Sequence, residues 1–142
     1  MKPKTSVLRG NKANRKWHLI DLDCKILGRV STEIASLLMG KNKPTFSYHR
    51  DDGDYVVCVN AAKIQVTGKK LRQKSHFWHT PWPGHLKSLT WEALLKKDPR
   101  QLIYLSVANM LPKNRLRDSR LKRLKVFTGL NHPYGDKFKK DN

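Results

Sequence analysis

The chain carries 30 Lys and Arg against 11 Asp and Glu over 142 residues, a formal charge of +19, and 38% of its residues are hydrophobic. A surplus of that size strains the compact state by self-repulsion and calls for a polyanionic partner, of which a nucleic-acid backbone is the obvious one. The length fits one domain with a sizeable core; no apolar run approaches the ~20 residues of a membrane span, residues 1–16 lack the apolar stretch of a secretory signal, and two isolated cysteines, Cys24 and Cys58, argue against a disulfide framework or a zinc site.

In chain order, residues 1–16 hold six bases and no acid and read as a basic N-terminal arm, a better account of them than a transit segment. Trp17 to Leu22 reads as a short strand. Gly28-Arg29 opens a helix in which Val30, Ile34, Leu37 and Leu38 share one face, and Gly40 stops it. Strand followed by helix suggests the start of a βαβ unit. Residues 41–44 are a basic loop. Asp54 to Asn60 is a continuous β-branched and aromatic run, as expected of a strand buried on both faces of a parallel sheet. Ile64–Thr67 reads as another strand, Gly68-Lys69-Lys70 as a turn, and residues 71–79 as extended. Pro81 and Pro83 make residues 80–87 irregular. Thr90 caps a helix reaching about Lys97, and Asp98-Pro99 starts the next, with Leu102, Ile103, Val107 and Met110 on one face. Pro112 ends it. Arg115 to Leu124 forms a short basic helix, Lys125–Phe127 a last strand, and residues 129–142 a polar tail, leaving 17–128 as a single α/β RNA-binding domain.

The charge is unevenly placed. Residues 17–62 are near neutral, whereas 63–89 hold six bases and no acid, and 112–142 hold ten bases and three acids. That pattern describes a folded core with basic surfaces mounted on it. Catalytic signals are weak beside it. His49-Arg50-Asp51 echoes a kinase tripeptide, but no Gly-rich loop or DFG accompanies it. Asp51-Asp52-Gly53-Asp54 lacks the alternation of a calcium loop and is better read as a turn. Gly68-Lys69-Lys70 lacks the remaining residues of a P-loop. His76 and His79, three apart on a strand, point to opposite faces and do not converge on a metal. A small metal-dependent nuclease or RNA-modifying enzyme using His49, Asp51 and Asp54 is the rival from another class; a free RNA- or DNA-binding regulator is a second.

The basic blocks interleave with Trp78, His79, Trp82 and His85, so that Lys and Arg can meet phosphates while ring planes stack on unpaired bases. Core packing is expected for Trp17 and Trp91. For Trp78 and Trp82, stacking and core packing stand even. The contacts expected from the basic blocks themselves are Arg72, Lys74 and His76, and Arg115, Arg117, Arg120 and Arg123 in the basic helix.

Several pieces, in order and spacing, then carry a resemblance. They are Leu27-Gly28-Arg29, Gly40-Lys41-Asn42-Lys43-Pro44, the run Gly53 to Ala61, Val66-Thr67-Gly68-Lys69-Lys70, His79-Thr80, Pro83-Gly84 with Leu86-Lys87, Met110-Leu111-Pro112-Lys113-Asn114, and Arg123 to Phe127. From about Trp17 to Tyr134 the chain resembles the universal large-subunit ribosomal protein L-thirteen family. The resemblance implies a three-layer α/β/α fold around a four-stranded, mainly parallel sheet, with basic extensions at both ends. It also implies a structural role on large-subunit rRNA beside neighbouring ribosomal proteins, early entry into subunit assembly, and neither enzyme activity, cofactor nor small-molecule substrate. RNA contacts carry over to Lys41, Lys43, Lys69, Lys70, His79, Lys87, Lys113 and Lys125. Pro81 and His85 stand where the bacterial pattern has Gly, and Asn114-Arg115-Leu116-Arg117 replaces a Gly-rich stretch, a form more similar to the mitochondrial branch. The expected place is therefore the mitochondrial matrix, with a bacterial or plastid ribosome as the alternative.

Overall fold

The computed structural model describes residues 15–138, so nearly all of the expected basic arm lies outside the described residues. The elements in chain order are β1 (Trp17–Asp21), α1 (Leu27–Met39), β2 (Tyr55–Val59), α2 (Lys70–Gln73), β3 (Ser75–His79), β4 (Leu86–Thr90), α3 (Trp91–Lys97), α4 (Pro99–Met110), α5 (Leu116–Lys122), β5 (Leu124–Val126) and α6 (Gly135–Phe138). A 3-10 turn, Ala61–Lys63, follows β2.

β2 lies between β1 and β5 and is parallel to both. Its central place explains its sequence: a strand covered on both faces reads as a continuous apolar run, and Val56, Val57, Cys58 and Val59 are all buried. Burial pushes the Cys58 thiol up to about 12, which keeps it an inert core residue. In register, His18, Val56 and Leu124 share one face, as do Ile20, Cys58 and Val126. Ile20, Val56, Cys58, Leu124 and Val126 join Val30, Ile34 and Leu38 of α1 and Leu102, Ile103 and Val107 of α4 in one apolar core. Each such side chain contributes about 1.5–3 kcal/mol by leaving water. Ser31 donates to Ser106 across the α1–α4 contact at 2.8 Å, and the Tyr104 hydroxyl donates to the Leu124 carbonyl at 2.8 Å, tying α4 to β5.

The other sheet face is covered differently. Trp17 stacks on its register partner Tyr55 at 4.4 Å, and Tyr134 and Phe138 of the C-terminal segment close over Trp17 at 5.2 and 6.5 Å. The segment expected to be a polar tail thus supplies rings to the sheet and ends in a one-turn helix.

The sheet also has three strands rather than the expected four. Ile64–Thr67 forms only an isolated bridge, Gln65 to Ile26, before turning into α2. The remaining strand pair, β3 with β4, is an antiparallel ribbon outside the sheet. The molecule is therefore a mixed α/β fold with a three-stranded parallel sheet and a separate two-stranded ribbon.

Local signals set the helix ends. Gly40, at φ +77°, closes α1 in the left-handed conformation that suits Gly, and its N–H donates to Leu37. Thr90 accepts from the Ala93 N–H at the start of α3. Asp98 ends α3 and caps α4 by accepting from the Arg100 N–H at 3.1 Å, with Pro99 as first helical residue.

Candidate nucleic-acid interface

The β3–β4 ribbon pairs Ser75 with Thr90, Phe77 with Ser88 and His79 with Leu86. Strand alternation sets His76, Trp78, Lys87 and Leu89 on one face, and Phe77, His79 and Leu86 on the other. His76 and Trp78 stack with ring centres 5.8 Å apart. Most of these rings face solvent: Phe77 is 59% exposed, Trp78 40%, and Trp82 in the connecting loop 71%. An isolated two-stranded ribbon is marginal in water, and this one is anchored at its base. The Trp91 N–H donates to the Lys74 carbonyl at 2.9 Å, Leu89 packs against the core, and the Lys74 ammonium lies 4.6 Å from the centre of the Trp91 ring.

The tryptophans separate accordingly. Trp17 and Trp91 pack against the folded body, as their sequence positions suggest, whereas Trp78 and Trp82 are free to stack on another molecule.

Most of the expected RNA-contacting cations face outward. Lys69, Lys70, Arg72, Lys74 and Lys87 are exposed around the ribbon and α2, with His79 exposed and His76 half-buried between them. Arg72 has an exposed partner, Glu92, at 3.9 Å, a pairing that holds little. Lys41 is exposed after α1; Lys113 and Arg115 are exposed ahead of α5; Arg117 and Lys125 are half-buried. The residues thus form two groups, one around the ribbon and one near α5.

Three of the expected contacts turn inward, and the structure gives them another task. Arg123 is 4% exposed and Arg120 2%. Arg123 donates through Nη1 and Nη2 to both oxygens of Asp51, at 2.6 and 2.5 Å, and through Nη2 to the Leu38 carbonyl at 3.2 Å. It thereby satisfies a carbonyl left open at the C-terminus of α1. Arg120 donates to the Arg50 carbonyl at 3.2 Å, with its Nε 3.7 Å from Asp51. Lys43 donates to the Asp52 carbonyl at 2.8 Å and to the Asp54 carboxylate. In the folded chain these three cations hold residues 50–54 against α1. Gly53 makes that contact possible, because a Cβ there would lie 1.7 Å from the Leu38 carbonyl oxygen.

Asp51 and Asp54 behave as structural anions. Burial pushes the Asp51 carboxyl up, but the hydrogen bonds and charge of Arg123, with the charges of Arg15 and Arg120, outweigh it and hold the carboxyl below its ordinary value. For Asp54, burial is likewise outweighed by Lys43, the Lys16 N–H and His18, which lies 3.1 Å away. The carboxylates that the nuclease reading requires are thus engaged by cations, and His49 lies beside Ser47 at 3.2 Å. Among the described residues, no group of three or more His, Cys, Asp or Glu is placed to hold a metal ion, and no helix is long and apolar enough to cross a membrane. The inward cluster has a signal in the sequence: residues 51–54 hold three of the chain's eleven acids with a glycine among them, and Arg120 and Arg123, three apart, share a helical face.

A model of the family "Ribosomal protein L13" matches residues 15–133. The chain is 50% identical over 131 residues to the large ribosomal subunit protein uL13 of Thermotoga petrophila, covering 92% of this chain and 88% of that one. It is 49% identical to the uL13 of Citrifermentans bemidjiense, covering 92% of each, and 48% identical over 130 residues to that of Geobacter sulfurreducens, covering 92% and 91%. With the family model spanning most of the chain and relatives of this identity matched nearly end to end, the chain belongs to the ribosomal protein L13 family and is a structural protein of the large ribosomal subunit.

Proposed function

We propose that the protein clamps large-subunit rRNA through the ribbon and the outward cations near α5, and that the parallel-sheet body holds these two surfaces in fixed relation. One observation carries the reading: residues 63–89 hold six bases and no acid, and the ribbon within them turns Trp78, Trp82 and Phe77 to solvent. Phosphates meet Lys41, Lys69, Lys70, Arg72, Lys74, Lys87, Lys113 and Arg115, while the rings and His79 stack on unpaired bases. Arg117 and Lys125 contribute at the edge of the second group. Binding releases counterions, so log affinity falls against log salt with a slope of about −0.7 to −0.9 per phosphate neutralised.

The source of the relatives bears on the compartment. The Arg-rich stretch 114–117 suggests a mitochondrial ribosome, yet the relatives at 48–50% identity are bacterial. We take a ribosome of bacterial type as the reading, with neighbouring large-subunit proteins as further partners.

Sucrose-gradient sedimentation tests the whole proposal. The protein is expected to travel with the large subunit through moderate salt and to be released by ribonuclease. Sedimentation as free protein under those conditions would overturn it.

A further inference from the structure

Three stretches far apart in the chain meet at one cleft: the opening of α1, the segment from Val66 through α2, and the end of α4 with Trp91 beside it. The cleft has a volume of about 410 Å³, within the ~300–1,000 Å³ of small-ligand pockets. Its apolar lining includes Val66 and Trp91, both half-buried, and the exposed Met110. Its cations, Arg29, Lys70 and Lys74, are exposed, and no acidic residue lines it. The α1 end of the cleft adds no negative charge, since the first turn of that helix holds no acid.

Resting on the rRNA-binding reading, we propose that this cleft receives a single unpaired nucleotide of rRNA, its base between the apolar walls and its phosphate against Arg29, Lys70 and Lys74. A flat apolar group carrying one or two negative charges fits both halves of the lining. A neighbouring protein's apolar side chain would bring no anion to Arg29, Lys70 and Lys74, whose only contacts at the cleft are neutral, Lys70 with the Thr67 hydroxyl and Lys74 over the Trp91 ring, and a lone phosphate would leave the apolar walls facing water. The cleft adjoins the ribbon through Lys74, which ends α2 and leads into β3, so a strand of RNA crossing the ribbon has a short path to it.

The test places p-benzoylphenylalanine at Met110, which is 39% exposed, in the full chain assembled into large subunits recovered by sedimentation. Ultraviolet light is expected to join it to one rRNA nucleotide. Thr67→Trp, which fills the cleft without removing a cation, is expected to lower that yield about tenfold. The joint change of Arg29, Lys70 and Lys74 to Gln is expected to lower it at least as much. Subunits that contain the chain but give cross-links to a protein, to many scattered nucleotides, or to nothing would overturn the proposal while leaving the rRNA-clamp reading intact. Absence of the chain from the subunits would overturn both. AMP titrated into the free protein separates the other source of the same chemistry: saturable binding of AMP, together with no rRNA cross-link, would assign the cleft to a free nucleotide and overturn the proposal.

Discussion

β2 and the β3–β4 ribbon are both rich in β-branched or aromatic residues, yet they use them in opposite ways. In β2 the apolar side chains are buried on both faces and the strand is held by two neighbours. In the ribbon the rings face outward and each strand has one partner. The first arrangement gains its stability within the chain. The second leaves apolar area and positive charge exposed together, and both terms are relieved only by a partner that is flat, apolar and anionic. Hydrophobic side chains thus serve two ends in this protein, and charge distinguishes them: residues 17–62, which include β2, are near neutral, and every charged residue within 63–89 is basic.

Arg123→Ala strips the half-buried Asp51 of its two-point partner and opens the Leu38 carbonyl, and is expected to lower folding stability by about 3 kcal/mol in chemical denaturation. Trp82→Ala, at the exposed tip of the ribbon, is expected to change stability by no more than about 0.5 kcal/mol. Its effect should instead fall on rRNA affinity, weakened by about 1–3 kcal/mol. A Trp82 variant that unfolds, or an Arg123 variant that folds normally but loses RNA, would show that the two regions have been assigned the wrong roles. Replacing all four arginines of the α5 region together would mix the two effects, because Arg115 and Arg117 are accessible whereas Arg120 and Arg123 are buried.

The same division explains what the sequence made legible. β1, α1, β2, α4 and β5 were readable because their burial imprints a period or a continuous apolar run. The caps at Thr90 and Asp98 were readable because capping is local chemistry. β4 was hidden: Leu86-Lys87-Ser88-Leu89-Thr90 has no buried face to impose alternation, and Pro81 and Pro83 dominate the segment before it. The ring contacts of Tyr134 and Phe138 with Trp17 were hidden as well, since they join residues more than a hundred positions apart. At the candidate interface, residue type alone could mark a cation but could not tell whether it faces solvent or Asp51. Lys43, Arg120 and Arg123 have the same chemistry as Lys41, Arg115 and Arg117; only the fold sorts them.

Acid offers a second, smaller separation. Asp51 and Asp54 have carboxyls held below their ordinary value of 3.8 in the folded protein. Such groups stabilise the fold at pH values above the unfolded pKa, and that contribution disappears as the pH falls through the folded pKa. Thermal midpoints are therefore expected to be level near neutrality and to fall below about pH 4. Arg123→Ala should flatten the acid limb, because Asp51 then loses the partner that lowers its pKa. Trp82→Ala should leave the limb unchanged.

The smallest expected effect lies at the joint between the two regions. Asp98 caps α4, the helix that carries Leu102, Ile103 and Val107 into the core, whereas Thr90 caps α3, which anchors the ribbon. Asp98 accepts from the Arg100 N–H at 3.1 Å; Thr90 accepts from the Ala93 N–H at 3.4 Å, a longer and weaker bond. Asp98→Ala is expected to lower global stability by about 1 kcal/mol, and Thr90→Ala by less. Hydrogen exchange distinguishes them better than a melting curve does. α4 packs into the core with the sheet, so Asp98→Ala should speed exchange across α4 and the sheet together. The ribbon is anchored through α2, α3 and Leu89, so Thr90→Ala should speed exchange in β3, β4 and α3 while the amides of β2 keep their protection. Equal loss of protection in β2 would mean that ribbon and sheet open as one unit, and that the body does not fold independently of the surface it presents.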